Sequence, residues 1–136
     1  MAEWKIKKSD SVFRTGIFSL KKLTCTHPEK DEEHDFYILD TPDWINVVAL
    51  DESGNFIFVL QHRLGTGRLT LETPAGLVEA GENPRDAALR ELREETGYEA
   101  GSIVLMKKLA ANPAIMNNYI HFFLAQNCRK AGAQNL

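Results

Sequence analysis

Apolar residues along this chain fall into short runs separated by charged or glycine-containing turns, with one longer exception near the middle. Trp4-Lys5-Ile6 alternates, Val12 to Cys25 is rich in Val, Phe, Ile and Leu, and His34 to Leu39 resumes after a charged turn at His27 to Glu33. Alternation and β-branched or aromatic enrichment predict strands, here two or three that form an N-terminal sheet. Asn46 to Leu50 and Phe56 to Leu60 are apolar runs separated by Asp51-Glu52-Ser53-Gly54. That spacing predicts a hairpin, with Gly54 where the turn needs a left-handed backbone. Ser102 to Leu109 and Tyr119 to Ala125 predict two later strands.

The exception is helical. Asn83 before Pro84 is a start signal, since the Asn side chain caps free backbone N–H groups and Pro suits the first helical position. Gly97 is the matching stop. Between them lie good helix formers, and successive steps of about 100° put Ala88, Leu89, Leu92 and Thr96 on one stripe. Glu91, Glu94 and Glu95 occupy the arc beside it. Glu91 is three and four residues from the other two, so like charges meet on one face and repel by some tenths of a kcal/mol per pair. A Glu-rich helix face is ordinarily just solvated; here the acidic edge touches the buried edge, where positive charge is wanted.

Composition narrows the class. At 136 residues with 43% hydrophobic content, the chain is a single domain able to bury a core, divided as 1–42 for the N-terminal strands and 43–136 for the rest. The net charge is −3 and basic residues are scattered, which argues against a long nucleic-acid partner. The N-terminus lacks the apolar core of a secretory signal, and no run approaches a membrane span. Cys25 and Cys128 form no framework and fit a reducing, cytoplasmic setting as buried or idle thiols.

The stretch Gly76 to Tyr98 resembles the signature box of the Nudix hydrolases, with every fixed position filled: Gly76, Glu82, Arg90-Glu91-Leu92, Glu94-Glu95 and Gly97-Tyr98. Gln61-His62-Arg63 and Glu72-Thr73-Pro74-Ala75-Gly76 resemble the Gln-x-Arg and Glu-x-Pro-Ala-Gly segments of the branch acting on ADP-ribose and related nucleoside diphosphate sugars. Pro113, in the loop from Ala111 to Asn118, stands where that branch shapes a loop over the distal sugar. The resemblance implies an α+β fold, the Nudix α/β/α sandwich with a mixed sheet, to which an N-terminal antiparallel sheet is added. It also implies metal-dependent hydrolysis of a pyrophosphate bond and a homodimer formed through the N-terminal strands.

Glu91 and Glu95 are then the expected ligands of Mg²⁺ or Mn²⁺, with Glu94 as a further ligand or partner of a bound water. The three carboxylates form the expected catalytic set. Hard cations of this kind take oxygen donors, and no Cys or His group competes for a softer metal. The Ala75 carbonyl is a candidate fourth ligand, and Gly76 permits the close approach. Arg63 suits phosphate because its planar fork grips two oxygens; with Gly76 and Pro113 it makes up the expected substrate-binding set. Glu82 and Arg90 are expected to pair and hold loop to helix.

No acidic residue follows Glu99. In the resembling enzymes an acidic loop follows the strand matching Tyr119 to Ala125, so the C-terminal end is expected to be shortened and turnover weakened. Two alternatives stand beside the nucleotide-sugar hydrolase: a nucleotide-binding module of the same fold with little turnover, and a pyrophosphohydrolase of nucleoside triphosphates or RNA ends.

Overall fold

Alternating apolar residues need partners on both edges and a layer on one face, and the chain supplies these in two groups. The structure is a computed structural model and describes residues 3–134. Strands β1 (Lys5–Arg14), β2 (Ser19–Thr26) and β3 (Glu33–Asp40) make an antiparallel sheet in that order. The expected run from Val12 to Cys25 is therefore two strands. Thr15 divides it: its hydroxyl accepts the amides of Ile17 and Phe18 at 3.1 and 2.9 Å, turning the chain back. Residues up to Pro42, with Ala110–Asn118, form one compact unit, and Asp43–Leu109 with the chain from Tyr119 form another.

The second unit is built on β4 (Trp44–Asp51), which alternates between buried and half-buried positions. Antiparallel to it run β5 (Phe56–Ile57) and β8 (Ala75–Leu77), and parallel to it runs β11 (Tyr119–Lys130). Next to β11 lie β10 (Ser102–Ala110) and the short β9 (Tyr98–Glu99), completing a mixed six-stranded sheet. The turn from β4 to β5 is as expected, with Gly54 at φ 81° and Asp51 Oδ1 accepting the amides of Ser53 and Asn55.

Beyond Ile57 the structure departs from the expected hairpin. Phe56 to Leu60 is not one strand: the chain leaves β4 at Phe58, and β6 (Val59–Arg63) pairs instead with β7 (Arg68–Glu72) as a separate two-stranded ribbon. Part of what reads as a loop after Arg63 is thus the return strand. One helix, α1 (Pro84–Thr96), covers one face of the mixed sheet. Ile45, Val47 and Ala49 of β4, with Phe123 and Ala125 of β11, meet Ala87, Ala88 and Leu92 of α1 in a buried core. Ala87 joins the expected stripe and Leu89 sits at its margin.

Candidate active site

Helix α1 is fixed at both ends before any tertiary contact is counted. Asn83 Oδ1 accepts the amide of Arg85 at 2.9 Å, Pro84 occupies the first position, and Gly97 adopts φ 72° with its N–H on the Arg93 carbonyl at 2.7 Å. Burial of Ala88 and Leu92 against the sheet then sets the helix rotation, which leaves Glu91 and Glu95 facing β8.

Glu91 lies against Gly76. A Cβ at that glycine would stand 2.1 Å from the Glu91 carboxyl carbon, so only glycine lets the carboxylate sit there. Glu95 lies at the free edge of β8. Its Oε2 accepts the Ala75 amide at 3.0 Å and its Oε1 the Gln61 side-chain amide at 2.6 Å. The β4 partner of β8 uses the other edge, where the Pro74 carbonyl accepts from Val47 at 2.8 Å. Because N–H and C=O of one extended residue point to the same edge, the Ala75 carbonyl is presented on the helix side.

Arg90 sits among the acids. Its Nε and Nη2 donate to Glu82 at 2.9 and 3.0 Å, Nη2 also reaches the Leu77 carbonyl at 3.1 Å, and Nη1 touches Glu91 at 2.7 Å and Glu94 at 3.3 Å. The loop before the helix is therefore tied to it. Glu82 is held below the usual carboxylate range, chiefly by Arg90. Glu91 moves the other way: loss of solvent pushes its carboxyl up, with the neighbouring charges of Glu95 and Glu94 adding to the shift despite Arg90. Glu94 is more exposed than Glu91.

Arg63, at the end of β6, borders a hollow of about 330 Å³ whose walls include Trp44, Asn46, Leu77 and Ile120, with Ala75 and Gly76 shared with the box helix. Its Nε and Nη2 are engaged by Glu72.

Three comparisons bear on these features. The NUDIX domain family matches residues 40–135. The chain belongs to the Nudix family. It is 36% identical over 132 residues to the methanol dehydrogenase activator of Bacillus methanolicus, covering 94% of this chain and 69% of that protein. It is 38% identical over 89 residues to the ADP-ribose pyrophosphatase of Bacillus subtilis strain 168, covering 65% of this chain and 48% of that one. Relative to that pyrophosphatase the chain spans about half the length. The crystal structure of an ADP compounds hydrolase superposes with a TM-score of 0.84 at 21% identity, over 97% of this chain and 71% of the other, which shows that the Nudix fold is shared.

Among the described residues no three His, Cys, Asp or Glu side chains are gathered closely enough to hold a metal ion, because Arg90 occupies Glu91 and Glu94 while Gln61 and Ala75 occupy Glu95. The donor set of the Nudix box nevertheless suits a hard divalent cation. Two oxygen-only side chains, one of them desolvated and repelled by its neighbours, flank a backbone edge that carries a carbonyl. Pro113 lies exposed in a turn of the first unit, where Asn112 accepts the amides of Ile115 and Met116. The contacts of Gln61 and Glu72 are absent from the residue pattern alone, although both residues lie in the Gln-x-Arg and Glu-x-Pro-Ala-Gly segments. Also unforeseen is Asp43, whose carbonyl accepts Val78 at 2.9 Å at the start of the box loop while its carboxylate meets buried His121 at 2.7 Å.

Proposed function

We propose that this Nudix protein is a pyrophosphohydrolase that cleaves the diphosphate of ADP-ribose or a related nucleoside diphosphate sugar, using Mg²⁺ or Mn²⁺. The observation that carries it is the placing of Glu91 and Glu95 together against the Ala75–Gly76 backbone, next to a hollow with an arginine on its wall. Glu91, Glu95 and the Ala75 carbonyl would hold the cation, with Glu94 as a further ligand or as partner of a water. A bound cation of this class neutralises charge developing on the phosphoryl oxygens and favours ionisation of water.

The protein's own groups do the rest. Gln61 and the Ala75 amide fix the Glu95 carboxylate in one rotamer, and Glu82 with Leu77 fixes Arg90, so the loop, helix and strand edge keep their spacing without reorganisation. Arg63 lies on the wall of the hollow with Nη1 uncommitted among the described residues, available to a phosphate oxygen. Glu94, more exposed than Glu91, would accept a proton from an attacking water.

The names of similar proteins agree: an ADP-ribose pyrophosphatase by sequence and an ADP compounds hydrolase by fold. The reading includes a cytoplasmic enzyme acting as a homodimer through the N-terminal strands. Among the described residues no helix is long and apolar enough to cross a membrane. A second reading, nucleotide binding with little turnover, is favoured by one observation: Arg90 engages Glu91 and Glu94, two of the three carboxylates expected at the cation. The test is a screen of the purified protein with Mg²⁺ against ADP-ribose, other nucleotide sugars and nucleoside triphosphates. Turnover highest on ADP-ribose or another nucleotide sugar is expected. Binding of ADP-ribose without turnover would favour the second reading.

A further inference from the structure

The ribbon of β6 and β7 has two unlike faces. Leu60, Leu69 and Leu71 point outward, whereas Gln61, Arg63, Arg68, Thr70 and Glu72 share the other face, from which Gln61 reaches Glu95. On that face Glu72 grips Arg63 closely: Nε donates to its two oxygens at 2.9 and 3.1 Å and Nη2 donates at 2.5 Å. The Thr70 hydroxyl donates to the same carboxylate and fixes its orientation.

Among the described residues Arg63 is the one charged residue on the wall of the hollow. Arg68, opposite it in the strand register, is exposed and forms no part of that wall. The cation that faces an entering phosphate is therefore already matched by an anion. Glu72 is drawn down to about 2, first by Arg63 and then by Thr70, so the match holds at any physiological pH. Among the described residues Nη1 of Arg63 has no partner, which leaves a directional donor with little net charge behind it.

We propose that Glu72 sets the charge class of the substrate: by neutralising Arg63 it suits the hollow to a diphosphate diester and disfavours a triphosphate. The inference rests on the nucleotide-sugar reading above. Each phosphate of a diphosphate diester carries a single ionised oxygen, while the terminal phosphate of a triphosphate ionises a second time near neutral pH. That extra charge finds no unmatched cation on the wall, where the Glu72 carboxylate already offsets Arg63. Glu72 is thus a specificity and positioning residue that acts through Arg63.

Glu72→Gln tests this, because the amide oxygen can still accept from Arg63 while the charge is gone. Steady-state rates on ADP-ribose and on ATP, with saturating Mg²⁺, give the ratio of the two kcat/KM values. For Glu72→Gln the ratio should move toward ATP by about tenfold, mainly through KM. Thr70→Val, which removes the supporting hydroxyl but no charge, should leave the ratio near wild type. An unmoved ratio in Glu72→Gln, in a protein that prefers ADP-ribose, overturns the role of Glu72 and leaves the substrate reading standing. A wild-type preference for ATP overturns both. Should Glu72→Gln fail to melt cooperatively, Glu72→Asp decides: it keeps the charge and must keep the wild-type ratio, and a shift toward ATP of the size above overturns the proposal.

Discussion

Glu95 accepts two hydrogen bonds, one on each carboxylate oxygen, and both donors are N–H groups that cannot reverse their role. Glu95→Gln keeps the shape but offers a single acceptor to two donors, and it removes a charge from the expected cation site. We expect the fold to persist and kcat to fall about a hundredfold or more, equivalent to about 2.7 kcal/mol of barrier; unchanged turnover with saturating Mg²⁺ would count against the assignment. Glu91 gives a pH signature. Its folded-state carboxyl holds its proton to higher pH than in the unfolded chain, so its contribution to stability is fully present below the ordinary value of 4.5 and is lost as pH rises through the raised value. Glu72 runs oppositely, its contribution lost as pH falls from 4.5 toward about 2. The melting midpoint of wild type relative to Glu91→Gln should therefore decline as pH rises above 4.5. Saturating Mg²⁺ should reduce that decline, and scanning calorimetry of the two proteins with and without the ion measures it.

Among the elements, α1 was the most legible, because its signals are local: a cap, a proline, a glycine and an apolar stripe all lie within or beside it. Asn83→Ala removes the Oδ1 acceptor at the Arg85 amide and should cost about 1 kcal/mol, read as a lower denaturation midpoint with an unchanged m-value. The strand from Phe56 was less legible. Ile57 and Val59 are equally apolar, and which partner each finds depends on residues elsewhere: Ala49 for Ile57, Glu72 for Val59. Local alternation says that a segment is a strand and says nothing of its neighbour. The site divides along the same line. The carboxylates of the box could be picked from spacing, whereas Gln61 on Glu95 and Glu72 on Arg63 exist only because the ribbon of β6 and β7 folds back beside the helix.

For the molecule as a whole, the N-terminal sheet leaves Ile6, Val12, Phe13, Ile17 and Tyr37 each more than half exposed. Apolar surface of this extent on one small sheet is expected to be covered by a second copy, and dimers of the obligate kind bury more than about 2,000 Å². Light scattering at micromolar concentration should give twice the mass of 15.3 kDa; the monomer mass would refute it.

The parallel pairing of β4 with β11 has a consequence in time as well as in space. Trp44 sits beside Ile120, so most of the chain must be looped out before the central ladder can close, and the contacts that reward that closure arrive only afterwards. Helix α1 and the β6–β7 ribbon are made from neighbours in sequence and can form early. The β8 strand, which sets the spacing of Glu91 and Glu95, needs β4 in place. Refolding from denaturant should accordingly show helix signal rising ahead of nucleotide binding, with the capacity to bind returning only in the slow phase in which the sheet closes.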